Sequence, residues 1–425
     1  MTKESPNRDP SNLMVGGIAD WLMERALNEE TTMKELFDGT CMRLLAEGVP
    51  LIRSHLGFRT LHPVFAAIGH IWHHDRETEH LEIAHSSVNL TDSWAKSPYA
   101  FLVDNDIVHI RRRLTGDGAL VDFPMLSEFR DEFGGTDYLA YAIPFDPQAI
   151  GDTLKSGVVG SWLTSRPGGF SDNDLRTLLR IQKRLAVTFK VLIKSEITNN
   201  VLNTYLGPDA GKQVLSGQIK RGDYEKIHSV IWYSDMRNST PLAETLGPDD
   251  FFAMVNDYFE CTAGAVLDAG GEVLRFIGDA VLAIFPIRKG EQTEKQACHK
   301  ALRAMREAEK RVCRMNIERT TNGQPLIEYG LGLHVGDVMF GNIGVPARLE
   351  FSVIGPAANE TARLESLTRE IGRKVIVSEQ FARNIKGKWD ALGKKKLKGV
   401  GGTMTLFSPK AVDCKVEKKK KPHRP

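Results

Sequence analysis

The chain has 425 residues, 41% hydrophobic and 26% charged, with 56 Lys and Arg against 54 Asp and Glu. That is apolar material for two to three domains of about 150 residues each, and no apolar run reaches the roughly 18 residues of a membrane-spanning helix. The polar opening MTKESPNRDPSN lacks a signal-peptide core and the balanced charge argues against a nucleic-acid partner, so the expectation is a cytoplasmic protein with no transmembrane segment.

Residues 1–12 read as disordered, and Ile18 to Val49 as helical, with Leu22, Ala26, Met33, Leu36, Met42 and Leu45 at helical spacing. From His62 to Val88 two apolar runs flank a charged turn at Asp75 to Glu79, the pattern of a hairpin with a longer loop. The segments TDYLAYAIPF and SGVVGSWLTS are strand-like, and RPGGFSDND is turn chemistry. A long helix then starts at Ser171 or Asp172. Its Leu178, Ile181, Leu185, Thr188, Leu192 and Ser195 alternate by three and four, which suits either a short parallel coiled coil or a helix packed on its own sheet.

Taken together, YLAYAIPF and GVVGSWLTSRPGGFSDNDLRTLLRIQKRLA give residues 50–195 a pattern that resembles a GAF domain, a small-molecule sensor module. The expected layout is a GAF-like α/β sensor with its leading helices over 13–195 and a helical transducer over 196–225. His70, His73, His74, His80 and His85 crowd the hairpin. They read as a solvated hairpin tip or, alternatively, as a two- or three-ligand metal site. The five cysteines are scattered without CxxC spacing, which disfavours a disulfide framework or zinc knuckle. The tail Lys415 to Pro425, with six basic residues and one Glu, reads as a disordered basic end over 411–425.

The C-terminal half carries the chemistry. In HSVIWYSDMRNST a strand ends at Asp235, and farther on VLRFI and AVLAIF flank Gly278-Asp279, a two-residue hairpin turn. Between them a helix is expected from about Asp250 to Ala269, with Phe252, Val255, Phe259 and Val266 on one stripe and Gly270-Gly271 ending it. Two carboxylates at adjacent strand ends are costly without a cation, and such a pair reads either as ordinary turn aspartates or as the holder of two divalent ions for attack at phosphorus. Gly207 to Gln213 falls one residue short of a P-loop and lacks its Ser or Thr.

The stretches VIWYSDMRNST, GGEVLRFIGDAVLAIFP, YGLGLHVGDVMFGNIG, LEFSVIGPAANETARLE and LKGVGGTMTLF occur in the order and approximate spacing of class III nucleotidyl cyclases over about residues 226–408, within a domain expected over 226–410. The resemblance implies an α+β domain on a ferredoxin-like βαββαβ core. It implies Asp235, Asp279 and the Met236 carbonyl as ligands of two Mg²⁺ or Mn²⁺ ions, and a phosphate cradle from the amides of Arg237, Asn238, Ser239 and Thr240. Asn359 and Arg363, one helical turn apart, match the family's transition-state pair, and Lys398 its triphosphate lysine. Because the family draws its metal aspartates and its Asn and Arg from different protomers, a head-to-tail homodimer is implied.

Arg275 stands where adenylyl members usually carry Lys, and Ser352 at the second purine position. A cation there disfavours guanine, so ATP is the expected substrate and cyclic AMP the product. Guanylate cyclase, a silent nucleotide- or ligand-binding regulator, and a sensor whose histidine hairpin binds a metal or small molecule are the alternatives.

Overall fold

The computed structural model describes residues 10–28, 30–86, 89–145, 156–288, 290, 292–387, 389–397 and 401–410. The chain divides between Thr204 and Tyr205 into two compact units. Among the described residues no helix is long and apolar enough to cross a membrane. The basic tail lies outside the described residues.

In the first unit, the stretch expected to be one helical region is two helices, α1 (Pro10–Ala26) and α2 (Met33–Ala46). The reason is a reciprocal cap at Thr32. Its hydroxyl accepts from the Glu35 amide at 3.2 Å while the Glu35 carboxylate accepts from the Thr32 amide at 3.0 Å, which starts a new helix. Residues 10–12, expected to be disordered, are the first residues of α1.

There follow β1 (Arg53–Arg59), β2 (Phe65–His73), β3 (Glu79–Ala84), α3 (Asn89–Ala95), α4 (Pro98–Asp104), β4 (His109–Arg113), α5 (Pro124–Asp131), β5 (Asp137–Pro144), β6 (Gly157–Thr164) and α6 (Asp172–Leu206). The strands form one antiparallel sheet in the order β3-β2-β1-β6-β5-β4. Phe37, Leu56 and Trp162 belong to the core shared with α1, α2 and α6, whereas Leu102, Phe129 and Tyr138 belong to the core shared with α4 and α5. Leu178, Ile181 and Leu185 of α6 are 0% exposed within the first of these cores, and Ser195 is exposed. The three-four seam is therefore spent on the helix's own sheet, not on a coiled coil.

The second unit comprises α7 (Pro208–Leu215), β7 (Tyr224–Met236), α8 (Ser239–Thr245), α9 (Pro248–Asp268), β8 (Glu272–Ile277), β9 (Ala280–Pro286), α10 (Glu294–Thr321), β10 (Tyr329–Val345), β11 (Arg348–Ile354), α11 (Pro356–Ile371), β12 (Val375–Ser378), α12 (Glu379–Ala382), β13 (Trp389–Lys396) and β14 (Thr403–Pro409). Its sheet runs β13-β14-β12-β10-β7-β9-β8, with β11 paired to β10. The last four, β10-β7-β9-β8, are antiparallel neighbours, and their order is the fourth, first, third and second strand of a ferredoxin-like βαββαβ unit.

Alternation along β7 divides the two faces. Trp232 packs with Met254, Tyr258 and Ala265 of α9 and Ala301 and Met305 of α10. Ile231 on the other face packs with Ala210 of α7 and Ala357 of α11. The expected stripe of α9 is rotated. Phe252 is 69% exposed, and the buried face is Met254, Tyr258, Cys261, Ala265 and Val266, which keeps the i, i+4, i+7, i+11 rhythm. The expected transducer over 196–225 is likewise not one element. Its first part is the continuation of α6 to Leu206, and α7 packs on the sheet of the second unit through Ala210 and the Asp209–Arg288 ion pair.

Candidate active site

Asp235 is the penultimate residue of β7, in register with Ala280 of β9 on one side and Gly330 of β10 on the other. Asp279 immediately precedes Ala280 in a two-residue turn that Gly278 makes with φ +62°, a backbone angle only glycine adopts without cost. The strand end is pinned from below. Ser234, which points to the α9 face, accepts hydrogen bonds from Trp232 Nε1 at 3.1 Å and Tyr258 Oη at 3.0 Å. Asp235 thereby faces the other way, toward α11.

The Asp235 carboxyl is held well above the usual carboxylate range, first by burial and then by Asp279 beside it, while Arg369 and the Met236 amide favour its charged form. A divalent cation would remove that penalty, and two carboxylate groups are hard oxygen donors suited to Mg²⁺ or Mn²⁺. The residues fit such an ion. Among the described residues no group of three or more His, Cys, Asp or Glu side chains is arranged as a metal cage, so an ion here would have only this pair as side-chain donors, completed by main-chain oxygen and water. The same observation overturns a three-ligand metal site at the histidine hairpin. There His73 is buried and His74 exposed, and the His70 and His80 rings meet at 5.0 Å across β2 and β3.

The loop after β7 departs in part from expectation. The Arg237 amide donates to the Glu328 carbonyl at 2.8 Å, so it extends the sheet and cannot join a phosphate cradle. Its side chain is also committed, donating from Nη2 to Thr368 Oγ1 at 3.3 Å and to the Arg373 carbonyl at 3.2 Å. Asn238 is left-handed (φ 57°, ψ 26°) and turns the chain into α8, where Leu242 makes the helical bond back to the Asn238 carbonyl. Ser239 and Thr240 precede that bond and Pro241 has no N–H, so the Ser239 and Thr240 amides are the main-chain donors that stand ahead of the helical ladder.

Helix α11 is seated by a glycine stripe in YGLGLHVG. A Cβ on Gly332 would stand 2.5 Å from the Thr361 carbonyl, and one on Gly336 would stand 2.6 Å from Ala357 Cβ. Gly330 is overlaid by the Glu365 carboxyl. With Thr361, Leu364 and Thr368 buried against the sheet, Asn359 and Arg363 fall on the exposed side. The structure therefore does not bring them to the aspartates of their own chain. The inward Glu365 carries no motif signal of its own in the sequence, although a residue two positions beyond an outward Arg must turn to the opposite side of a helix. Its carboxyl is pushed up to about 7 by burial and then by Asp235.

At the far side, Arg275 of β8 reaches β11, where its Nη2 lies 2.9 Å from Glu350 Oε1. Glu350 and the buried Ser352 alternate onto one side of β11, so the two expected purine positions share a strand neighbourhood. Glu350 had no sequence signal beyond its place two residues before Ser352. Lys398 lies outside the described residues.

Residues 222–408 match the family model of the adenylate and guanylate cyclase catalytic domain. The adenylate cyclase of Anabaena cylindrica is 32% identical over 155 residues, 36% of this chain and 30% of that protein. Adenylate cyclase 1 of Rhizobium meliloti is 27% identical over 179 residues, 41% of this chain and 26% of that protein. The chain thus spans less than a third of the length of these relatives. Among solved structures, the adenylyl cyclase CyaB from P. aeruginosa is 22% identical over 44% of this chain and 95% of that chain, with a TM-score of 0.40. Residues 222–408 belong to the adenylate and guanylate cyclase catalytic-domain family.

Proposed function

We propose that the protein is an adenylate cyclase, converting ATP to 3′,5′-cyclic AMP and pyrophosphate at sites shared by two copies of its C-terminal domain. The observation that carries this reading is the meeting of Asp235 and Asp279 on the α11 side of the sheet while Asn359 and Arg363 point outward from the same chain. A second copy completes the constellation.

Asp235, Asp279 and the Met236 carbonyl would hold two Mg²⁺ or Mn²⁺ ions, which supply a lowered pKa for the 3′-hydroxyl and charge neutralisation of the triphosphate. The Ser239 and Thr240 amides at the start of α8 bind the β- and γ-phosphates, with Asn238 turning the loop and Lys398 adding a cation. Asn359 of the second copy orients the ribose, and its Arg363 stabilises charge on the α-phosphoryl group. The 3′-oxygen forms its bond to the α-phosphorus as the bond to the β-phosphate oxygen breaks; pyrophosphate leaves and the hydroxyl proton passes to water. Arg275, fixed by Glu350, donates from its remaining N–H groups to adenine ring nitrogens, and Ser352 accepts from the adenine amino group.

Glu350 also favours a second reading, guanylate cyclase, because its carboxylate can accept from guanine N–H groups. Incubating the purified full chain with ATP and with GTP, each with Mg²⁺ or Mn²⁺, separates the two. The expected result is cyclic AMP from ATP and loss of product to background in Asp279→Ala. Cyclic GMP alone would establish the guanylate reading, and near-normal turnover by Asp279→Ala would sink the metal-site assignment.

The first unit is proposed to be a GAF-like sensor, a reading supported by its antiparallel sheet flanked on both faces. A small ligand that raises the melting temperature of the full chain and changes its turnover would support it. Turnover that stays constant across ligands that do bind would remove it.

A further inference from the structure

Helix α11 has two functional sides, and only the outward one is accounted for by Asn359 and Arg363. On its inward side, Gly330 and Asp235 are register partners in the β10–β7 ladder, and Glu365 occupies the notch that the missing Cβ of Gly330 leaves open. Any larger residue at 330 would collide with that carboxyl. Thr368 Oγ1 donates to Glu365 Oε1 at 3.4 Å and in turn accepts from Arg237 Nη2 at 3.3 Å. Arg237 lies two residues beyond Asp235, so a hydrogen-bonded chain runs from just past the strand end through Thr368 to Glu365, which sits over the register partner of Asp235. Asp235 is also the leading charged influence on the Glu365 carboxyl after burial itself.

We propose that Glu365 is a positioning residue for the cation site of its own chain, acting from outside the ligand set on Asp235 and its bound cation, so that one helix serves two sites. Its inward side tunes the aspartate pair in cis, and its outward side supplies Asn359 and Arg363 to the site completed by a second copy. The proposal rests on the cyclase reading above. It is consistent with the absence, among the described residues, of a three-carboxylate cage. Groups that hold a metal's ligands from outside are worth about 10- to 100-fold in metal affinity.

The test is Mn²⁺ binding by the full chain without nucleotide, read from loss of the free-ion electron paramagnetic resonance signal. Glu365→Gln keeps the shape and removes the charge; Glu365→Asp keeps the charge. The expected outcome is Mn²⁺ binding weakened about 10- to 100-fold in Glu365→Gln, partial recovery in Glu365→Asp, unchanged binding in Arg363→Ala, and none in Asp279→Ala. Wild-type affinity in Glu365→Gln, where Asp279→Ala has lost binding, overturns the proposal alone. Wild-type affinity in Asp279→Ala overturns the aspartate-pair reading, and this proposal falls with it.

Mixed dimers separate action in cis from action in trans. Pairing Glu365→Gln with Asp279→Ala leaves live only the site whose metal pair lies in the chain carrying the glutamine, so its Mn²⁺ requirement should rise. Pairing Glu365→Gln with Arg363→Ala leaves live only the site whose metal pair neighbours the native glutamate, and its Mn²⁺ requirement should match the wild type. The reverse pattern overturns the cis assignment. A protein that merely loosened on substitution would raise the requirement in both pairings, and that result also counts against the proposal.

Discussion

His334 shows how one buried titratable group records the placement of α11. It is 3% exposed on β10, its Nε2 lies 3.0 Å from Glu360 Oε2, and its Nδ1 meets no hydrogen-bond partner among the described residues. Burial, with a smaller contribution from His228, lowers its pKa to about 4. The contact is therefore a neutral N–H donating to a carboxylate. Because the folded pKa lies below the unfolded value near 6.5, the unfolded chain takes up more protons between the two. Stability from this group is then complete above about pH 6.5 and is lost as pH falls toward 4. The shift corresponds to about 3 kcal/mol at the acid end of that window. Denaturant unfolding at pH 7 and pH 4.5 should show a larger acid loss for the wild type than for His334→Gln. Equal losses would show that His334 is not neutral in the fold.

At the scale of elements, the seat of α11 depends on residues without side chains. YGLGLHVG alternates glycine with apolar residues, and the glycines at 330, 332 and 336 all lie on the side facing the helix. Gly332→Ala would put a methyl group 2.5 Å from the Thr361 carbonyl and 2.9 Å from the Glu365 amide, both backbone atoms. The helix must lift. Overpacking of this kind costs about 1–3 kcal/mol, and the expected result is a lower melting temperature together with a fall in kcat, since Asn359, Arg363 and Glu365 all ride on the helix. An unchanged melting temperature and kcat would mean that α11 is seated by other contacts. The Gly278 turn was legible in the sequence, because it is written in local backbone preference, whereas the helix that the glycines of YGLGLHVG seat was shown only by the fold. The side of α6 that would be used was not legible either. A three-four seam has the same appearance whether it packs on a second helix or on its own sheet, and here Leu178, Ile181 and Leu185 went to the sheet.

For the whole molecule, the outward Asn359 and Arg363 and the inward Asp235 make a single chain an incomplete catalyst under the proposed mechanism. Asp279→Ala and Arg363→Ala should each be inactive alone, and a mixture should regain up to about a quarter of wild-type activity. Random pairing makes half of the dimers mixed, and each mixed dimer has one intact site of two. No recovery in a mixture shown to contain mixed dimers would count against shared sites.

The sequence by itself determined the order of motifs and the strand ends that carry Asp235 and Asp279, because hydrophobic period and turn glycines act over a few residues, and the resemblance of its ordered motifs to class III nucleotidyl cyclases implied the helix of Asn359 and Arg363 and the ferredoxin-like core. Only the tertiary structure decided that Arg237 spends its amide on Glu328 and its guanidinium on Thr368 and Arg373, that Arg275 is claimed by Glu350, and that Glu365 fills the notch at Gly330. Each of these contacts joins residues far apart in the chain. Their pairing depends on which faces the sheet and helices bury, a choice that no local pattern encodes.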